Sequence, residues 1–172
     1  MKNVRAISTL LFYLTRILAA LYLITTFYSA ISLLTEWSYI IKDEGRNFSI
    51  LYPFSESAFL NGENTWSYKF FNFLMPLGFY GLFFLLVSNV FKVFMRTKLF
   101  TANGVKQLKW FYLANIILPP FTLLLASVFD GNVEEGLTMV AMIHFILGIF
   151  SYFMAAIFRQ GLQLQNEQDL YI

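Results

Sequence analysis

Long apolar runs separated by short polar segments dominate the pattern of this chain. Four runs are near or above the roughly 20 apolar residues that a helix needs to cross the hydrocarbon core of a bilayer. They cover about residues 8–34, 70–91, 110–129 and 137–158. A helix satisfies its backbone hydrogen bonds internally, as lipid requires, so each run predicts a transmembrane helix. The predicted fold class is an all-α membrane protein, a four-helix transmembrane bundle.

The polar segments between the runs form loops and a tail within one domain. Residues 1–172 are predicted to form a single transmembrane domain, with loops at 35–69 and 92–109 and a tail at 159–172. A turn or two of helix is expected to continue from the fourth run into the tail. No repeat and no linker long enough to separate two domains interrupts this layout.

Within the two loops, local signals predict some further structure. Residues 47–53 favour a short strand, and Asn61-Gly62-Glu63-Asn64 favours a turn. In the second loop, Thr101 is suited to cap the start of a helix that leads into the third run.

The composition agrees with lipid as the solvent for most of the surface. The chain is 58% hydrophobic and only 13% charged. In a typical soluble domain about a quarter of the residues are charged. It has no cysteine, which excludes disulfides and thiolate chemistry. The formal net charge of +2 is too small to suggest nucleic acid as a direct partner.

The distribution of charge predicts how the helices are oriented. With the N-terminus inside, nine of the twelve basic residues but only two of the ten acids fall on the inner side. Because an excess of Lys and Arg marks cytoplasmic segments, both termini are predicted to be cytoplasmic and the loop at 35–69 extracytoplasmic. The predicted location is the inner membrane of a bacterial cell, as a multi-pass protein. The inner basic residues are Lys2, Arg5, Arg16, Lys92, Arg96, Lys98, Lys106, Lys109 and Arg159.

The fourth run has one face of small and polar residues, which predicts helix packing. Small residues let helices approach closely in lipid, and a polar side chain there can bond to a neighbouring helix. His144 is therefore expected to make a neutral interhelical hydrogen bond; a metal ligand or a proton relay is the open alternative. The predicted helix-packing residues are Ala141, His144, Gly148, Ser151 and Ala155.

The other runs contain further polar or helix-breaking residues. A stripe on the first run is a candidate packing face for the fourth run or for a second copy of the chain. Arg16 is expected to extend its charged head to the inner interface, with contact to an anionic lipid as the alternative. Pro119-Pro120 predicts a kink in the third run. The stripe consists of Thr15, Ala19, Tyr22, Thr26 and Ser29.

Two inner segments carry a resemblance to a known family. Lys98-Leu-Phe-Thr-Ala-Asn-Gly-Val-Lys-Gln-Leu108 is similar to a Phe-Thr pair followed by Asn and basic residues ahead of the third helix. Arg159-Gln-Gly-Leu-Gln-Leu-Gln-Asn-Glu-Gln-Asp-Leu170 is similar to a terminal pattern of Gly, Leu-Gln, Glu and Asp-Leu, although Gln168 stands where Asn is typical. The family is the bacterial YoaS-like group of four-helix membrane proteins, domain of unknown function 2975.

The resemblance implies a function in interaction. The family has no established enzymatic activity, and its members are often encoded beside a small Cro/C1-type helix-turn-helix regulator, which implies a membrane partner or sensor for that regulator. The alternative is that the motif residues only end helices and pack together. The candidate contacts are Phe100, Asn103, Leu162, Leu164, Glu167, Asp169 and Leu170.

Other functions receive less support from the residues. None of the four runs contains Asp or Glu, and proton or cation transporters usually have carboxylates at membrane depth. A small channel or transporter component is therefore the second hypothesis. No nucleophile–base arrangement is visible, so we expect no enzyme, no cofactor and no metal site. Membrane lipids are expected partners, and a homo-oligomer is left open.

Overall fold

The computed structural model describes residues 2–130 and 135–169, which are mostly helical. Four helices are long and apolar enough to cross a membrane, as the apolar runs predict. A small sheet lies between the first two helices. The elements are α1 (Lys2–Thr35), β1 (Tyr39–Lys42), a 3-10 turn (Asp43–Gly45), β2 (Asn47–Leu51), β3 (Ala58–Glu63), a π-helix (Tyr68–Leu74), α2 (Met75–Phe94), α3 (Ala102–Asp130) and α4 (Glu135–Gln168).

Three helices extend beyond the apolar runs that predict them. α1 begins at Lys2, and α3 begins at Ala102, directly after the predicted cap Thr101. α4 continues to Gln168 rather than ending a turn or two after residue 158. The predicted cap explains where α3 begins, since the backbone N–H of Gly104 donates to Thr101 Oγ1 at 3.0 Å. An apolar run predicts only the part of a helix that is suited to lipid. Backbone hydrogen bonding lets the helix continue into the polar residues on either side.

The helices pack mainly against their neighbours in sequence. α1 packs along α2, α2 against α3, and α3 along α4. Glycines lie where two helices come closest: a Cβ on Gly81 would meet the Leu23 side chain at 2.7 Å, and one on Gly148 would meet the Ile116 side chain at 2.6 Å. The small and polar stripe of α1 therefore packs on α2, through contacts such as Thr26 with Gly78, and the prediction that it packs on the fourth helix is wrong.

The outward faces of the first and last helices are apolar and exposed. Large aliphatic and aromatic side chains that are more than half exposed recur along both helices. Contiguous apolar surface of this extent is suited to lipid rather than water. Examples are Leu10, Leu14, Ile17, Leu21 and Ile24 on α1, and Met142, Ile146, Phe150, Phe153 and Ile157 on α4.

The segment between α1 and α2 forms a three-stranded antiparallel sheet in the order β1-β2-β3, so the all-α description is incomplete. The predicted strand is confirmed as β2, whose Phe48 and Ile50 are fully buried. These two side chains form a cluster with Phe73 of the π-helix. The sheet is thereby anchored on the helix ends by a small apolar core of its own.

The predicted turn at residues 61–64 is wrong, because Asn61, Gly62 and Glu63 belong to β3. Gly62 pairs with Phe48 of β2 in the antiparallel register. A Cβ at this position would come within 2.6 Å of the Tyr68 ring and 2.8 Å of the Phe48 ring. The glycine is thus required by close packing of two aromatic rings over a strand, not by a turn.

The opposite end of the molecule, here called the basic end, carries the start of α1, the connection 95–101 and the last turns of α4. A cluster of Val93, Leu108, Ala155 and Phe158 joins three helices there. The Phe100 ring extends this cluster by packing edge-on against Phe158, with centroids 5.4 Å apart. The short connection between α2 and α3 is therefore fastened to α4.

Candidate functional site

A buried polar pair joins α3 and α4 within the apolar helices. His144 is 6% exposed and Asn115 is 1% exposed. His144 Nδ1 lies 2.8 Å from Asn115 Oδ1, and Asn115 Nδ2 donates to the carbonyl of Phe111 at 2.8 Å. Because the amide oxygen can only accept, Nδ1 is the donor in the His–Asn bond. The sequence predicts an interhelical bond from His144, and the structure places its partner on α3.

Aromatic rings from α2 surround the same histidine. Phe79 and Phe83 pack edge-on against the imidazole, with centroids 4.8 Å and 4.9 Å away, and Tyr80 lies at 5.8 Å. Three helices therefore meet at one side chain. Within residues 2–130 and 135–169, no group of three His, Cys, Asp or Glu side chains is arranged to hold a metal ion.

The predicted helix-packing residues of α4 are all buried. Gly148 makes the closest approach, since a Cβ there would lie 3.1 Å from the backbone nitrogen of Ile116 and 3.3 Å from Asn115 Cβ. Ser151 Oγ donates within its own helix, to the carbonyl of Leu147. The face thus consists of small side chains around one polar contact. All five residues of this face are buried, and His144 is 6% exposed. They are Ala141, His144, Gly148, Ser151 and Ala155.

Pro119-Pro120 lies about one turn beyond Asn115, and α3 continues as a helix through both prolines. Proline has no N–H, so the carbonyls of Asn115 and Ile116 lose their usual helical donor. The side chain of Asn115 bonds elsewhere, to Phe111 and His144. Whether the prolines kink the helix stays a prediction.

The candidate partner contacts separate into three environments. Phe100 packs inward, because its ring lies 2.7 Å from where a Cβ of Gly161 would be, and Leu162 is half-buried. Leu164, by contrast, is 61% exposed. Two acidic residues on the end of α4, Glu167 and Asp169, are also exposed. Leu170 lies outside the described residues.

Asn103 lies elsewhere, in a polar cavity of about 220 Å³ between the end of α2 and the start of α3. We call it the basic cavity. Arg16 of α1 reaches its edge, donating from Nη1 to Ser88 Oγ at 3.2 Å and to Asn89 Oδ1 at 3.4 Å. Its lining residues are Asn89, Lys92, Val93, Arg96, Asn103 and Gln107.

From the sequence, the cations of this cavity are predicted as topology signals and as contacts with anionic lipid, whereas the amides are not predicted to have a role. A signal was available, since Asn89, Lys92 and Arg96 follow one another at steps of three and four residues and so share a helix face. Asn103 and Gln107 show the same spacing at the start of α3. That the two faces meet depends on how α2 and α3 pack, which no local spacing reveals.

No curated protein and no solved structure matches the chain. The family model described as "Protein of unknown function (DUF2975)" matches residues 61–172, from within β3 to the C-terminus. The match covers most of the chain and includes α2, α3 and α4, the three helices that meet at His144. The chain belongs to the DUF2975 family.

Proposed function

We propose that this chain is a multi-pass protein of the bacterial inner membrane that holds a small cytosolic regulator at its basic end. The regulator is of the Cro/C1 helix-turn-helix type, and the membrane protein acts as its partner or sensor without catalysing a reaction. The positive-inside distribution of Lys and Arg supports a cytoplasmic basic end.

The geometry of the last helix carries this proposal. α4 runs ten residues past the apolar run, to Gln168. Along this extension Leu164 is 61% exposed, and Glu167 and Asp169 are exposed. These residues belong to the terminal motif through which the chain resembles its family. A motif that the fold leaves exposed is better suited to contact with another molecule than to packing.

The exposed end of α4 combines one large apolar side chain with two carboxylates. Leu164 is an apolar anchor that a partner pocket would bury, and Glu167 and Asp169 are carboxylates suited to Arg or Lys on a DNA-binding protein. Phe100 contributes indirectly, since its ring packs on Phe158 and fastens the connection 95–101 to α4.

The test is co-purification of the helix-turn-helix regulator encoded next to this chain with the full-length protein from detergent-solubilised membranes. Leu164→Gln should lower the recovered regulator about tenfold, since burying a leucine contributes about 1.5–3 kcal/mol. A deletion of residues 166–172 should also lower the recovery, because it removes the carboxylates of Glu167 and Asp169. Gln160→Ala, an exposed change on the same helix, should leave recovery unchanged. Undiminished recovery with both the truncated and the Leu164→Gln protein would remove the end of α4 from the proposal.

A further inference from the structure

We propose that the basic cavity binds a phosphate-bearing anion, supplied either by the headgroup of an anionic phospholipid or by a soluble phosphate ester. The cavity lies at the basic end, between the last turns of α2 and the first turns of α3. This proposal does not depend on the regulator, because none of the residues involved belongs to the end of α4.

Cations from two helices converge on the cavity. Lys92 and Arg96 line it from α2, and Arg16 of α1 reaches it through Asn89. Among the described residues no carboxylate forms an ion pair with any of these three cations. Several like charges held together without a counter-charge favour an anionic ligand, and Arg and Lys are the side chains that usually bind phosphate.

The amides are oriented to donate rather than to accept. Asn89 Oδ1 already accepts from Arg16 at 3.4 Å, and Asn103 Oδ1 already accepts from Gln107 Nε2 at 3.3 Å. Because each carboxamide oxygen is used by a protein donor, the Nδ2 groups of Asn89 and Asn103 are left to donate. Free Nδ2 donors on Asn89 and Asn103, beside the cations, give this side of the cavity the polarity that a phosphate requires.

Size and helix direction agree with this ligand class. A volume of about 220 Å³ leaves room for a phosphate group with part of its ester and some water. Asn103 and Gln107 lie in the first turns of α3, whose N-terminal end carries partial positive charge. The dipole adds to the field of the three cations.

The lipid arm of the test measures retention of phosphatidylglycerol by the full-length protein in detergent, by native mass spectrometry, with phosphatidylcholine as the neutral reference. Lys92→Gln with Arg96→Gln should weaken phosphatidylglycerol binding on the order of thirtyfold, taking about a fivefold loss per cation. Lys106→Gln with Lys109→Gln removes the same charge from exposed positions outside the cavity and should change binding less than about twofold. Equal losses in the two double variants would overturn the proposal.

A second variant keeps the test decisive if the α2 double variant fails to fold. Asn103→Asp changes one exposed side chain and introduces a carboxylate into the cavity, so it should weaken phosphatidylglycerol binding about fivefold. Undiminished binding of phosphatidylglycerol by a folded Asn103→Asp protein would overturn the proposal.

The soluble arm uses glycerol 3-phosphate, which carries the phosphate without acyl chains, and measures the thermal unfolding temperature. Stabilisation of the wild type but not of Asn103→Asp assigns the site to a free phosphate ester. Binding of phosphatidylglycerol without an effect of glycerol 3-phosphate assigns it to lipid. Binding of neither probe overturns the proposal, whereas the deletion of residues 166–172 should leave both results unchanged.

Discussion

At the scale of single residues, the hydrogen bond between His144 and Asn115 is the most specific contact inside the helices. Both side chains are buried, and their bond is 2.8 Å long. In an apolar medium, removing one partner leaves the other without a substitute, because no water is present to replace it. The pair therefore favours one alignment of α3 against α4, the one in which the two side chains meet.

His144→Leu should lower the free energy of unfolding by about 1–2 kcal/mol, because Asn115 Oδ1 loses its donor. Asn115→Leu should cost at least as much, since it also removes the bond to the Phe111 carbonyl. The double variant should lose less than the sum, since no orphaned polar group remains. Thermal unfolding in detergent measures all three, with Phe145→Leu on the exposed side as the control. Strictly additive losses would mean that the two side chains are not coupled.

Single residues also show where local sequence signals succeed and where they mislead. Thr101 is predicted as a helix cap and is one, because capping depends on neighbours three residues away. Gly62 is predicted in a turn and lies in a strand, because the reason for this glycine is the Phe48 and Tyr68 rings across the sheet. A helix cap depends on residues close in sequence and can be predicted from them. The room available to a side chain at Gly62 depends on rings from other elements and cannot be predicted in this way.

At the scale of elements, α3 and α4 form a closely packed pair whose approach depends on a glycine. Gly148 faces Ile116 so closely that an added methyl group would meet both the side chain, at 2.6 Å, and the backbone nitrogen, at 3.1 Å. In lipid the hydrophobic effect does not drive two helices together, because lipid tails are as apolar as the side chains. Van der Waals contact at such a close approach therefore supplies much of the association energy.

Gly148→Ala should therefore destabilise the protein by about 1–3 kcal/mol, the usual cost of overpacking, because the backbone of Ile116 cannot rotate away as a side chain would. Gly136→Ala is the matched control on the same helix, where nothing lies within 4 Å of the new Cβ. That change should be neutral or slightly stabilising, as alanine favours helix. The comparison is made by thermal unfolding in one detergent; equal effects at the two positions would contradict a tight interface at Gly148.

Elements also differ in how far sequence predicts them. The apolar runs identify all four helices because a helix long and apolar enough to cross a membrane is visible in the sequence as one continuous run. They do not reveal that α1 packs on α2 rather than on α4, since small residues mark a packing face without naming its partner. They also do not reveal β1 or β3, whose pairing with β2 depends on side chains from different elements.

At the scale of the whole molecule, charge separates the two ends. The predicted topology assigns nine of the twelve basic residues to the cytoplasmic side and eight of the ten acids to the opposite side. The basic end gathers the connection 95–101, the basic cavity and the exposed end of α4. Both proposals place a ligand there, on different residues.

The absence of cysteine allows a direct test of orientation. Ser57 is exposed between β2 and β3, and Asn166 is exposed near the end of α4. A single cysteine is introduced at each position in turn, as Ser57→Cys or Asn166→Cys. A membrane-impermeant maleimide applied to intact spheroplasts should label the protein with Ser57→Cys and should label that with Asn166→Cys only after permeabilisation, because basic segments stay in the cytoplasm. The reverse pattern would invert the topology and place the basic end outside the cell.

The sequence alone determined the number of helices, their lipid-facing character, the small-residue face of α4 and the resemblance to a family that the match over residues 61–172 bears out. Each of these properties depends on composition or on spacing within one segment. Tertiary structure decided the rest: Asn115 as the partner of His144, the sheet around Phe48, and the basic cavity. These features join residues from separate elements, and which faces meet is settled by side-chain packing across the molecule.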